Sequence, residues 1–359
     1  MPVIALSEAE LASHPAFEGH EEVVRIEDEA AGLAGYIAIH DTTLGPSLGG
    51  CRVWRYADEG AALEDVLRLS RGMTYKNALA GLNLGGGKAV IILAPGAPKT
   101  PALFEAFGTA IEELDGRYIT AEDVGTSPAD MADVARATKH VRGTPASGVA
   151  DPSPYTALGV FHGILAAVEY RFGSSSLEGI RVAVQGLGHV GWRLAEKLHE
   201  AGADLLVSDI DAKALARAEE AWGALAVPVA EIHAAPVDLF APCALGAGLN
   251  RTTIPQIRAA IVAGAANNQL AEADDAVRLR ERGILYAPDY AINAGGVVAL
   301  ALAGAGRSQT EMRDKVEAIG STLASIFARA AEERTTTAAI ADQLAEERLT
   351  AVKRRSQAA

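Results

Sequence analysis

Basic charge is what this 359-residue chain most lacks: 32 lysines and arginines stand against 46 aspartates and glutamates, a formal net charge of -14. That balance excludes nucleic acid, whose phosphates demand a basic face. Cysteine is almost absent as well. Cys51 and Cys243 stand far apart with no metal-ligand spacing, so they read as buried thiols in a reducing cytoplasm, with no metal site. Apolar runs are short; the richest, 294–305, is broken by glycine and falls below membrane-spanning length. The start, Met1-Pro2-Val3-Ile4, lacks the basic and then apolar segments of a signal peptide. What remains is a soluble globular chain, 49% hydrophobic and 22% charged, long enough for two domains that handle small molecules or protein partners.

Residues 72–90 stand out because two lysines, Lys76 and Lys88, sit in apolar, glycine-punctuated sequence. A lysine in apolar surroundings is costly unless an anion pairs with it or it loses its charge. Lys88 follows Gly85-Gly86-Gly87 and precedes the strand-like 89–93, so it either closes a turn towards water or points into a site. Residues 59–76 read as an amphipathic helix, with Ala62, Leu63, Val66, Leu67, Leu69 and Met73 at helical spacing. Lys76 falls in its last turn, where a cation is favourable. Residues 1–30 read as acidic and helical, 35–40 as a strand, and 41–50 as a loop ending in Gly49-Gly50. A second helix is expected over 100–114. Residues 117–125 read as a short strand ending in Glu122-Asp123, where Asp123 either serves a cleft or caps a helix at 127–137.

Proline, glycine and serine cluster over 144–154, which sets a boundary between a domain at 1–148 and another at 149–335. Helix 154–172 opens the second, with Ser153 as its expected N-cap and Gly173 beyond its end. Strand 180–185 then runs into Gly186-Leu187-Gly188-His189-Val190-Gly191, helix 190–201 and strand 204–208. A G-x-G-x-x-G placed between strand and helix is the dinucleotide fingerprint: tight turn, close pyrophosphate approach, close helix packing. Asp209, followed by Ile210, ends the second strand where a carboxylate accepts from ribose hydroxyls, which favours NAD over its 2′-phosphorylated form. His189 reads as a solvent-facing member of the loop. Strand 260–264 leads to Ala266, Asn267 and Asn268, amides suited to a carboxamide and an amino acid together. Residues 286–297 form a second such loop, and the chain from 311 onwards reads as charged helices, with 336–359 expected to pack back on the first domain.

Together these segments resemble the Glu/Leu/Phe/Val dehydrogenases over nearly the whole chain, most nearly the leucine-acting branch. The blocks that carry the resemblance are 40–46, 48–50, 72–77, 120–125, 241–246 and 266–270. The resemblance implies an α/β protein of two domains: an N-terminal α/β catalytic domain and a doubly wound NAD-binding domain, with C-terminal helices. It implies reversible oxidative deamination of an L-amino acid to a 2-oxo acid and ammonia by a cytoplasmic homo-oligomer. Lys76 would bind the α-carboxylate with backbone at Gly49 and Gly50, Lys88 would be the acid/base, and Asp123 would relay protons. Asn268 would orient substrate, and Cys243 and Ala244 would join the cofactor contacts. Glutamate-specific members carry a lysine where this chain has Leu48, so an apolar substrate is expected in a pocket of Leu48, Met73, Val297 and Leu300. Leucine-acting members have valine at the Leu300 position and a small polar residue at Arg142. Leucine, valine or isoleucine is the first expectation and phenylalanine or another aromatic the alternative; a silent NAD-binding regulator is the remote one.

Overall fold

The structure is a computed structural model that describes residues 3–144, 148–244 and 246–358. Residues 145–147 of the expected boundary segment and Leu245 of the 241–246 block lie outside the described residues. The chain divides into two units. One comprises Met1–Asp151, Leu300–Arg307 and Ala345–Ala359; the other comprises Pro152–Ala299 and Ser308–Leu344.

The first unit is built on a six-stranded sheet. In chain order its elements are β1 (Val3–Ala5), α1 (Glu8–Leu11), β2 (Glu22–Asp28), β3 (Leu33–Asp41), β4 (Ser47–Trp54) and α2 (Glu59–Leu79). There follow β5 (Gly85–Ile92), α3 (Pro101–Glu113), β6 (Tyr118–Glu122) and α4 (Pro128–Val134). The strands lie in the order β1-β2-β3-β5-β4-β6, antiparallel from β1 to β5 and parallel through β5, β4 and β6. Period-two alternation divides the side chains between two faces. Cys51, Val53, Ala89 and Ile91 bury with Leu103, Phe104 and Phe107 of α3. Val90 on the other face packs with Ala62, Val66 and Leu67 of α2.

Three expectations change here. Residues 3–30 hold only one short helix, α1, and contribute two antiparallel strands to the sheet: Val23, Val24 and Ile26 are buried in β2, and its acidic residues Glu22, Glu27 and Asp28 are half-buried. The segment 47–50 is strand and not loop, and Gly85–Gly87 begin β5 and do not form a turn. Both glycine runs are places where backbones crowd. A β-carbon on Gly49 would stand 1.8 Å from the Gly87 carbonyl oxygen, and one on Gly86 would stand 2.0 Å from the Thr74 nitrogen of α2.

The second unit holds α5 (Ser153–Phe172), β7 (Arg181–Gln185), α6 (His189–Glu200), β8 (Asp204–Ser208), α7 (Ala212–Trp222) and β9 (Leu225–Ala226). It continues with β10 (Leu239–Pro242), β11 (Ile261–Val262), α8 (Asp274–Glu281), β12 (Leu285–Tyr286) and α9 (Asp289–Ile292). The chain ends with α10 (Gly295–Gly304), α11 (Gln309–Glu317), α12 (Ile319–Glu332) and α13 (Thr337–Ala358). The sheet is wholly parallel, in the order β12-β11-β10-β7-β8-β9, the doubly wound arrangement with β7 and β10 at its centre. Helix α5 ends at Gly173 with φ +79, as expected, but its N-cap is Pro152 without a side-chain bond; Ser153 lies inside the helix. Among the described residues no helix is long and apolar enough to cross a membrane.

Candidate active site

In the first unit the chemistry gathers where β5, β4 and β6 run side by side. Cys51 pairs with Ala89, so Lys88 lies beside Gly50, and Gly50 lies beside Ala121 of β6. Gly50 has no side chain to obstruct Lys88, which reaches across β4 so that its Nζ stands 3.0 Å from Oδ1 of Asp123. Lys88 is 4% exposed. A charge so buried needs a partner, and Asp123 supplies it.

Asp123 is held from several sides. Its backbone N–H donates to Thr126 Oγ1 at 2.9 Å, and Thr126 Oγ1 donates to the Cys51 carbonyl at 3.2 Å. Ser127, not Asp123, caps α4, accepting from the Asp130 N–H. The Asp123 carboxylate therefore faces the site. Its second oxygen accepts from Arg52 Nε at 3.1 Å. Burial pushes its carboxyl up, but the Lys88 ammonium and the Arg52 guanidinium outweigh that and hold it below the usual carboxylate value.

Lys76 lies half-buried in the last turn of α2, which begins at its N-cap Asp58. Asn77 fixes this end of the helix to the sheet: its Nδ2 donates to the carbonyls of Leu48 at 3.2 Å and Gly85 at 2.6 Å. Met73, one turn earlier, reaches Gly49, with Cγ 3.2 Å from where a Gly49 β-carbon would be. The buried Tyr118 hydroxyl donates to the Gly49 carbonyl at 2.8 Å, holding the Gly49-Gly50 backbone. Leu48 and Leu300 are both buried, and Leu300 Cδ2 lies 3.5 Å from where a Gly143 β-carbon would be. Arg142 packs on Gly304 at the end of α10 and donates to the Val141 carbonyl at 2.9 Å. Burial pulls its guanidinium below the usual value.

The second unit carries the glycine loop. Gly186 takes φ +96, and a β-carbon on Gly191 would stand 1.9 Å from the Gly186 carbonyl oxygen. Gly188, the N-cap of α6, has open space around its missing β-carbon and makes no side-chain cap. The helix N-terminus is thus open to an anion, which fits a pyrophosphate. Asp209 braces the loop, accepting from the Leu187 N–H at 2.6 Å and the Asp211 N–H at 2.8 Å. Ile210 beside it is 93% exposed, an apolar surface suited to a flat ring. His189 is exposed and Val190 half-buried at the start of α6. Cys243 and Ala244 pack against the glycines, at 3.3 Å and 3.0 Å from the would-be β-carbons of Gly191 and Gly186. Burial pushes the Cys243 thiol up to about 12, which leaves it inert.

Asn268 adopts φ +52, a left-handed conformation that asparagine tolerates better than most residues. Its N–H donates to Asp289 Oδ2 at 2.7 Å. Asn267 Oδ1 accepts from Asn293 Nδ2 at 2.8 Å, while Asn293 Oδ1 is buried without a partner among the described residues. Ser208 Oγ, next to Asp209, is buried and unpartnered in the same sense. These orphaned acceptors and the open helix end fit a dinucleotide with a carboxamide head.

Sequence reasoning missed Arg52, Asp65, Asn77, Tyr118 and Asp289 as supports of the site. Arg52 had left a signal, a lone charge between two core residues of one strand.

A model described as Glu/Leu/Phe/Val dehydrogenase, dimerisation domain, matches residues 17–140. A second, Glutamate/Leucine/Phenylalanine/Valine dehydrogenase, matches 148–216 and 209–356. The chain is 50% identical over 337 residues to leucine dehydrogenase of Geobacillus stearothermophilus, covering 93% of this chain and 92% of that one. It is 47% identical over 336 residues to valine dehydrogenase of Streptomyces virginiae, covering 92% and 94%. The crystal structure of L-tryptophan dehydrogenase from Nostoc punctiforme matches with a TM-score of 0.83 at 46% identity, covering 94% of this chain and 97% of that one.

Proposed function

The chain belongs to the Glu/Leu/Phe/Val dehydrogenase family, and we propose that it converts an apolar L-amino acid to the 2-oxo acid and ammonia, reversibly, with NAD. The buried Lys88–Asp123 pair beside Gly50 carries this reading. NAD, when bound, supplies the acceptor for the hydride that leaves the substrate Cα. Gly186, Leu187, Gly188, His189, Val190 and Gly191 would hold its pyrophosphate, with Asp209 and Ile210 at the adenosine. Ala266, Asn267, Cys243 and Ala244 complete the cofactor set, and Asn268 orients the amino acid.

Lys76 and the Gly49-Gly50 backbone bind the α-carboxylate. Asp123, held ionised by its two cations, attracts the substrate ammonium. Lys88, once it has passed its own proton through Asp123 to solvent, takes a proton from that ammonium and releases it by the same route; after the hydride has left Cα, the neutral Lys88 takes a proton from the water that attacks the iminium carbon. Lys88 returns that proton to the amine nitrogen and takes the hydroxyl proton, so ammonia leaves from the tetrahedral carbon as the carbonyl forms. An ionised Asp123 favours both the cationic iminium and the protonated amine of the tetrahedral carbon.

Leu48, Met73 and Leu300, with Val297 as the resemblance implies, would receive the substrate side chain, and their apolar character favours a branched aliphatic substrate. A buried side-chain carboxylate would find no lysine at position 48, so glutamate is rejected. The likeness to a tryptophan dehydrogenase favours an aromatic substrate as the second reading. A homo-oligomer in the cytoplasm is the expected working form. NADH formation from NAD with leucine, valine, isoleucine, phenylalanine, tryptophan and glutamate tests all of this. Highest kcat/KM for a branched substrate supports the reading, an aromatic preference overturns the pocket, and no turnover despite NAD binding overturns the activity. Lys88→Ala is expected to abolish turnover with NAD binding kept.

A further inference from the structure

We infer that Arg52 is a positioning residue: with Asp65 and Tyr56 it forms a charged strut that aims the Asp123 carboxylate at Lys88. This rests on the dehydrogenase reading above.

The strut begins in the pleat of β4. Cys51 and Val53 point to the core under α3, so Arg52 points to the opposite face, the one that carries Lys88 and Val90. In the strand register Cys51 lies beside Glu122, which sets Arg52 alongside Asp123. Two carboxylates then share one guanidinium. Nε donates to Asp123 Oδ2 at 3.1 Å, and Nη1 donates to Asp65 Oδ2 at 2.9 Å and Oδ1 at 3.2 Å. Tyr56 donates its hydroxyl to Asp65 Oδ2 at 2.5 Å, fixing the far end.

The planar fork of arginine makes these directions rigid, so the carboxylate of Asp123 cannot turn without breaking a bond that α2 holds through Asp65. One Asp123 oxygen is thereby committed to Arg52 and the other to Lys88. The side chains of Arg52 and Asp123 are 18% and 16% exposed, which sets this array apart from a solvent-screened surface ion pair. The strut also ties the acid/base pair to the helix whose last turn carries Lys76. A second cation on Asp123 keeps it ionised, so Arg52 sets the pH below which the site fails as well as its geometry.

The test is the pH dependence of kcat and kcat/KM in Arg52→Gln, Arg52→Lys and Asp65→Asn, against a wild type that turns over its best substrate. Arg52→Gln is expected to lower kcat at least 10-fold and move the acid limb of kcat/KM to higher pH, with the KM for NAD unchanged. Arg52→Lys keeps the charge, so it restores the acid limb but not the full kcat. Asp65→Asn keeps Arg52 and removes an anion; it lowers kcat without moving the limb upward. Wild-type kcat and limb in Arg52→Gln overturn the strut. So does a loss of kcat with no limb shift, the mark of a merely structural role. If Arg52→Gln does not fold, Asp65→Asn decides: unchanged kcat, or a limb moved upward, overturns the strut. An inactive wild type overturns the dehydrogenase reading instead.

Discussion

Gly50 and Asp123 meet at the spot a side chain would fill: a β-carbon on Gly50 would stand 2.8 Å from Cβ of Asp123 and 2.7 Å from the Glu122 carbonyl oxygen. Nothing in a β-strand prefers glycine, so its use here reflects crowding. Gly50→Ala must push Asp123 outward and obstruct the path that Lys88 takes across β4. A displacement of about 1 Å in a reacting constellation can cost ~100-fold. The variant is expected to lose about 100-fold in kcat while NAD binding, measured by titration, stays within about twofold.

Gly191 makes the parallel case in the other unit. Its missing β-carbon lets α6 approach the Gly186 carbonyl oxygen to a distance where alanine would overlap at 1.9 Å. Gly191→Ala has to shift the helix N-terminus away from the loop, and overpacking of this kind costs about 1–3 kcal/mol. The expected outcome is a KM for NAD raised at least 10-fold with a smaller change in the amino-acid KM. Equal rises in both would refer the damage to general unfolding.

Both glycines also show what could be read before the fold was known. The Gly186–Gly191 loop is a local object, strand, turn and helix within about 20 residues, so its spacing is legible in the sequence. The Lys88–Asp123 pair was suspected from each residue's odd surroundings, but their meeting depends on β4 lying between β5 and β6. No local pattern encodes that order. Arg52 is illegible for the same reason, because its partners come from a helix and from the residue that follows a different strand. The glycine runs read as turns in the sequence because a glycine needed for crowding and one needed for a turn look alike there. The acidic residues of 1–30 suggested a helix, yet β2 gains more by burying Val23, Val24 and Ile26 against β3 than a solvated helix would.

His40 gives a prediction on pH. Its Nδ1 lies 2.9 Å from Thr74 Oγ1, and its ring meets the buried His20 ring edge-on at 4.8 Å. Burial first, then His20, with Arg71 and Lys353 adding and Asp41 opposing, lowers His40 to about 4. The neutral ring is the one the fold prefers. Stability from this group is therefore complete above the unfolded value near ~6.5 and is lost as pH falls from there to about 4. At ~1.36 kcal/mol per pH unit this is on the order of 3 kcal/mol. Paired carboxylates such as Asp123 titrate lower and act below that window. In urea denaturation at pH 7 and pH 5, His40→Asn should start less stable and lose less between the two; an unchanged slope would refute the assignment. His20, also lowered by burial, should keep part of the slope.

The last prediction concerns α13, whose sequence gave no hint of a role in the site. Arg348 closes the C-terminus of α2: Nη1 donates to the Ala78 carbonyl at 2.6 Å, and Nη2 to the Leu82 carbonyl at 2.7 Å and Asn83 Oδ1 at 3.1 Å. Ala78 lies in the last turn of α2 and Leu82 and Asn83 in the segment that follows it, so the cation meets the negative end of the helix dipole. Tyr75 adds a second tie, donating its hydroxyl to Glu346 Oε1 at 2.9 Å. Lys76 follows Tyr75, so the arm proposed to bind the α-carboxylate is anchored by residues some 270 positions later. Arg348→Ala removes these bonds, while Ala78 keeps the Gly81 N–H, so the loss is about 1 kcal/mol. Because α2 then frays at Lys76, the amino-acid KM should rise several-fold while the KM for NAD, set in the other unit, does not move. Arg348→Lys can reach one carbonyl but not the array, so it should recover only part of the loss. If both variants keep the wild-type amino-acid KM yet lose stability, α13 serves the fold alone and Lys76 is positioned by Asn77 without it.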